Sequence, residues 1–132
     1  MPNSFDYAVV RIVPAVEREE FFNAGVILFC PEQRFLEARL HLDREKLNAF
    51  ASKLDPEDIR LRLEAIKKIC VGDPSAGAIA RLEQRSRFHW LIAPRSTVVQ
   101  VSPVHSGICE EPGSTLERLF QEQVLCTAKR AR

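Results

Sequence analysis

The order of apolar and polar positions predicts an α+β domain of two layers, an antiparallel β-meander of three N-terminal strands plus a later strand, packed against helices. Three observations carry this reading. Residues 6 to 42 hold three strand-like runs separated by short breaks, the residues after them show helical spacing with capping signals, and the order β-β-β-α-α-(α)-β-α lacks the strict strand-helix alternation of a doubly wound parallel sheet.

Tyr7-Ala8-Val9-Val10-Arg11-Ile12-Val13 is apolar and β-branched with one charge in its middle, which suits a strand that Pro14 closes. Phe21 to Cys30 is almost continuously hydrophobic, as a strand buried on both faces should be, and Pro31 ends it. Inside that run Gly25 weakens the strand unless a bulge or a close backbone needs the space. From Arg34 to Leu42 the chain alternates, with Phe35, Glu37, Arg39 and His41 on one side and Leu36, Ala38, Leu40 and Leu42 on the other. A third, antiparallel strand with one apolar face follows.

A short helix is expected to open at Asp43 and to bury Leu47, Phe50 and Ala51. The next helix has stronger signals: Asp55 as N-cap, Pro56 at the first helical position, Asp58 in the first turn, and Ile59, Leu63, Ile66 and Cys70 on one side. Gly72 and Pro74 stop it. Between Ser75 and Ala93, Ile79 and Leu82 suit a helix whereas Phe88, Trp90 and Ile92 alternate as in a strand; the balance favours helix with a break near Ser86. Thr97 to Val101 reads as the later strand, ended by Ser102-Pro103. Ser114-Thr115-Leu116-Glu117 offers a capping box for a last helix with Leu116, Leu119, Phe120 and Val124 on its apolar side. Residues 5–125 are assigned to one domain, and Cys126 to Arg132 to a basic C-terminal tail.

A chain of 132 residues buries roughly 65–70% of its unfolded surface without any staple. Lys+Arg 19 against Asp+Glu 18 gives no strong electrostatic capture of nucleic acid. Cys30, Cys70, Cys109 and Cys126 are too far apart in sequence for a Cys-x-x-Cys clamp, so free and mostly buried thiols are expected. The chain shows no signal peptide at Met1-Pro2-Asn3-Ser4-Phe5-Asp6 and no apolar run of about 20 residues. The expectation is a reducing cytoplasm, no membrane, no metal and no cofactor.

Pro94 to Cys109 is the most chemically suggestive segment, with side chains suited to ligand binding on both sides of an apolar run. Arg95 supplies a planar fork for phosphate or carboxylate, and Ser96 and Thr97 add hydroxyl donors. The plainer reading pairs Arg95 with a surface acid and uses Ser96 and Thr97 to organise a turn. His105 and Cys109 are four apart, the spacing of a conceivable nucleophile pair or half a metal site, against which stands a loop histidine and a small core thiol. Arg11 lies near Arg18-Glu19-Glu20 and Asn23, and an ion pair of Arg11 with Glu19 or Glu20 is the plain reading there. Trp90 beside Phe88 and His89 suits either a stacking surface or the core.

Three blocks resemble a bacterial family catalogued as domain of unknown function 3037: Tyr7 to Pro14, Arg18 to Val26, and Pro94 to Gln100 continuing through His105-Ser106-Gly107. The resemblance transfers no catalytic residue. It implies companionship with HipA-like serine/threonine kinases, hence a non-catalytic regulatory, antitoxin-like or substrate-presenting partner. On that reading Arg11, Arg18, Asn23, Arg95, Ser96, Thr97 and His105 are the candidate binding residues, gathered at one end of the sheet. A small enzyme would instead use Arg95 as anion clamp, His105 as acid or base, and Cys109 or Ser96 as nucleophile. A nucleic-acid module would need Arg11, Arg18, Arg81, Arg85, Arg87 and Arg95 on one face.

Overall fold

The computed structural model describes residues 2–15, 20–50, 53–95 and 97–125. The chain runs β1 (Asn3–Ala15), β2 (Glu20–Cys30), β3 (Phe35–Leu40), α1 (Arg44–Phe50), α2 (Pro56–Val71), α3 (Gln84–Leu91), β4 (Val99–Val101), β5 (His105–Cys109) and α4 (Pro112–Phe120). All five strands form one antiparallel sheet, in the order β3-β2-β1 with β4 and β5 both on the far side of β1. The α+β class and the three-strand meander are as the sequence predicts. Cys126 to Arg132 lie outside the described residues.

β1 is longer than its apolar run suggests and passes through Pro14 to Ala15. Its pairing with β2 is irregular between Ile12 and Ala15, a place where a residue without an N–H removes no ladder bond. A second irregularity opposes Val10 to Gly25 and Arg11 to Asn23, leaving Ala24 as the extra residue of a bulge on β2. Gly25 is needed there because a Cβ would fall 2.6 Å from the Arg39 carbonyl oxygen and onto the Leu40 side chain.

The far side of β1 carries one interrupted edge. Val10 faces Val101 and Tyr7 faces His105, so three steps along β1 match four along the edge and one residue is extra. The break falls at Pro103, which cannot donate to a ladder. Ser102 bridges it: its N–H donates to the Val9 carbonyl at 2.8 Å, and its buried hydroxyl accepts the Val9 N–H at 2.9 Å while donating to the Pro103 carbonyl. Beyond the bulge the side-chain alternation is inverted, and this turns His105, Gly107 and Cys109 onto the same face as Tyr7 and Phe5. β5 is invisible to pattern because His-Ser-Gly-Ile-Cys has no strand alternation, and Gly107 is covered by the Phe5 ring, whose Cζ would lie 2.7 Å from any Cβ.

Both faces of the central strands are covered. Val10, Ile12, Ile27, Phe29 and Leu36 meet Leu47 of α1, Ile59, Leu63 and Ile69 of α2, and Phe88 and Leu91 of α3. Phe5, Val26, Leu28, Cys30 and Cys109 meet Leu116, Leu119 and Phe120 of α4 and Val124 of the π-helical turn after it. This division satisfies the continuous apolar run of β2, whose Ile27 and Leu28 are both fully buried, at roughly 1.5–3 kcal/mol each.

The helix signals fare unevenly. Asp43 caps α1 through the N–H groups of Glu45 and Lys46, and Leu47 is buried; the Phe50 side chain and Ala51 lie outside the described residues. Asp55 accepts the Glu57 N–H, and Gly72 ends α2 in the left-handed region at φ 75°. The stretch from Ser75 to Ala93 forms two short 3-10 turns and then α3, which runs unbroken through Ser86. The alternation of Phe88, Trp90 and Ile92 is accidental: Phe88 is core, and Trp90 is 40% exposed. α4 starts two residues before the expected capping box, because Glu111 accepts the Gly113 and Ser114 N–H groups and Pro112 supplies the helical φ at the first position. Glu117 then serves elsewhere, pairing with Arg39 at 3.2 Å.

Two substitutions test the close contacts of the sheet. Gly25→Ala is expected to lower stability in urea by about 1–3 kcal/mol, the range of core overpacking, because the Arg39 backbone cannot move away cheaply. Ser102→Ala should cost about 1–3 kcal/mol by orphaning the Val9 N–H, whereas Ser106→Ala, whose hydroxyl donates to Asp6 in solvent, should cost less than about 1 kcal/mol. Equal losses for the two serines would show that the Ser102 hydroxyl does not close the ladder.

Candidate functional site

The structure divides the candidate residues among three places. Arg95 and Thr97 follow α3 and lead into β4. Arg11 and Asn23 face each other across β1 and β2, with Gln100 on the other side of Arg11. His105 opens β5, opposite Tyr7. Arg18 and Ser96 lie outside the described residues. The step from Ile12, which faces Val99, to Tyr7 alone spans about 17 Å along β1.

Arg95 closes the C-terminal end of α3. Its guanidinium donates to the carbonyls of Leu91 at 3.1 Å, Ala93 at 3.2 Å and Trp90 at 2.6 Å, and it lies 4.3 Å from the centre of the Trp90 ring. A cation here meets the negative end of the helix and adds donors to its last carbonyls, of which that of Trp90 also accepts the Ala93 N–H at 3.4 Å. Three donors spent on backbone oxygens make Arg95 an organiser of this corner. Neither of the sequence readings, anion clamp or partner of a surface acid, described that role.

The corner borders a groove of about 330 Å³ between α2, α3 and β4. Ile66 and Ile69 of α2, Leu91 of α3 and Val99 and Val101 of β4 give it an apolar lining, and Arg62, Trp90, Arg95, Thr97 and Gln100 supply its polar and aromatic margin. Thr97 is tied down by donating to the Val99 carbonyl at 2.8 Å, and Gln100 donates to the Thr97 carbonyl at 2.8 Å. Sequence reasoning missed Arg62 and Gln100. Arg62 sits one position before the buried Leu63, so it reads as solvent-facing, and its ion pair with Asp58 is the ordinary i, i+4 kind.

Arg11 lies over the Phe21 ring at 4.0 Å, and its buried Nε has no hydrogen-bond partner among the described residues. Asn23 donates to the Gln123 carbonyl at 2.8 Å, fastening β2 to the turn that follows α4. Glu19, one of the partners expected for Arg11, lies outside the described residues. His105 stacks on Tyr7 with ring centroids 5.2 Å apart. It is a strand residue, not a loop residue, and it stands at the opposite end of β5 from the buried Cys109, about 13 Å away. That distance removes the His105–Cys109 nucleophile pair. Nor do Arg11, Arg87 and Arg95 share one face: Arg87 donates to the carbonyls of Leu82 and of Cys70 in α2, Arg95 to those ending α3, and Arg11 points to the other face of the sheet.

Cys30, Cys70 and Cys109 are buried and free, as expected. Burial pushes the Cys70 thiol up to about 12, and burial, with a smaller push from the neighbouring Cys109, raises Cys30. Both thiols therefore hold their proton more tightly folded than unfolded. For Cys70 the contribution to stability is complete below the usual thiol value of 9.0 and falls as pH rises from there towards about 12, and Cys30 acts in the same direction. Urea unfolding from neutral pH into that alkaline window should show falling stability, with a shallower fall for Cys70→Ala; an identical slope in that variant would contradict the assignment. Among the described residues no group of three His, Cys, Asp or Glu side chains is placed to hold a metal ion, and no helix is long and apolar enough to cross a membrane.

No curated protein and no solved structure matches this chain. A family model described as "Protein of unknown function (DUF3037)" matches residues 7–124, from within β1 to the turn after α4. The chain belongs to that family.

Proposed function

We propose that this domain is a non-catalytic binding module of the bacterial cytoplasm that regulates a protein partner or presents a substrate to it. The partner that the sequence resemblance favours is a HipA-like serine/threonine kinase, with this chain as an antitoxin-like or substrate-presenting subunit. The observation that carries the reading is the groove beside β4, where an apolar lining is edged by Trp90 and Arg95. Tryptophan and arginine are the side chains that most often anchor interfaces, and here each holds the other in place, so little side-chain entropy is lost on docking. The enzyme alternative is weakened by the separation of His105 from both Arg95 and Cys109, and by the backbone carbonyls that occupy the Arg95 donors.

The test is an affinity pull-down of the tagged full chain from its native host at low and moderate salt, with Trp90→Ala and Arg95→Ala beside it. A kinase recovered in near-stoichiometric amount with the wild type should weaken by about 2 kcal/mol, roughly thirtyfold in Kd, with Trp90→Ala. Recovery of the protein alone at both salts, or a kinase held equally by both variants, would overturn the proposal.

A further inference from the structure

The opposite margin of the sheet carries a second surface. β3 is its outermost strand on that side, and among the described residues no further strand pairs with it. The His41 N–H donates to the Ala24 carbonyl at 2.7 Å, in register with the Gly25–Leu40 pair. By the alternation of an antiparallel ladder, Phe35, Glu37 and Arg39 then turn their backbone groups towards β2, and Leu36, Ala38 and Leu40 turn theirs outwards. Beside this open row, β3 and α2 enclose a groove of about 500 Å³, floored by Leu40, Leu42 and Leu63.

We propose that this edge pairs antiparallel with β3 of a second copy of the chain, about a two-fold axis at Ala38. In that register Ala38 faces Ala38 of the second copy and Leu36 faces its Leu40, so three residue pairs exchange both backbone hydrogen bonds. Glu37 falls opposite Arg39 of the second copy, at the non-hydrogen-bonded positions where side chains approach most closely. This pairing of opposite charges occurs twice by symmetry. Moving the axis to Leu40 sets Glu37 against Asp43 and Arg39 against His41, and moving it to Leu36 sets Glu37 against Phe35, so charge selects the Ala38 register. Arg39 is already steadied over the Phe120 ring and beside Glu117, and Ala38 offers only a methyl group at the axis. Leu40 and Leu42, half-buried on the groove floor, lose exposure when the two sheets join. The groove beside β4 lies at the other margin and stays open.

Sedimentation of the full chain across the micromolar range tests the pairing. The wild type should be a dimer; Glu37→Arg and Arg39→Glu should each raise the dimer dissociation constant roughly tenfold or more by opposing like charges, and the double reversal should restore it. Thermal melts of the monomeric variants check that the fold is kept, and Ala38→Pro, which removes an outward N–H and no bond within the chain, should also give a monomer. A wild type that stays monomeric, or a dimer indifferent to the single reversals, would overturn the proposal.

Discussion

The hydrogen bond from the Val9 N–H to the Ser102 hydroxyl holds the sheet together where its edge strand breaks. β1 is paired on both sides, with β2 on one and with β4 and then β5 on the other. Pro103 prevents a continuous ladder, and an orphaned Val9 N–H at the centre of the sheet would cost about 1–3 kcal/mol. Ser102 supplies the acceptor from its side chain while its own N–H keeps the backbone register. Everything beyond it inherits the consequence: one extra residue inverts the faces, so Cys109 enters the core beneath α4 and His105 comes to lie on Tyr7.

The same break separates the functional possibilities. Before it, Arg95 and Thr97 belong to the margin of the groove against α2 and α3. After it, His105 belongs to the other face. A segment that reads as one dense cluster of reactive side chains is therefore split by a single bulge into two surfaces with different neighbours. Arg95 illustrates the difference between residue type and role, since the guanidinium that suits an anion is spent on the carbonyls ending α3.

Where physics is local, the sequence was readable. The alternation of Phe35 to Leu42, the cap at Asp55 with Pro56 after it, and the stop at Gly72 all depend on residues within a few positions of one another. What escaped depends on distant partners. Pro14 survives within β1 because the opposing strand is irregular there, β5 forms because it pairs with Asn3 to Tyr7 and Phe5 covers Gly107, and Glu111 takes the capping role expected of Ser114 by accepting the Gly113 and Ser114 N–H groups. The candidate site was legible as a list of residues and not as a place, since neither the bulge nor the closure of α3 by Arg95 leaves a periodic trace.

Native-state hydrogen exchange at the Val9 amide tests most directly whether the Ser102 hydroxyl closes the sheet. Val9 should exchange only with global unfolding, at the same free energy as the Arg11 and Ile12 amides of β1. Exchange of Val9 at a markedly lower free energy than those neighbours would contradict it, showing an edge that opens at Pro103 and a β5 that is held independently of β4.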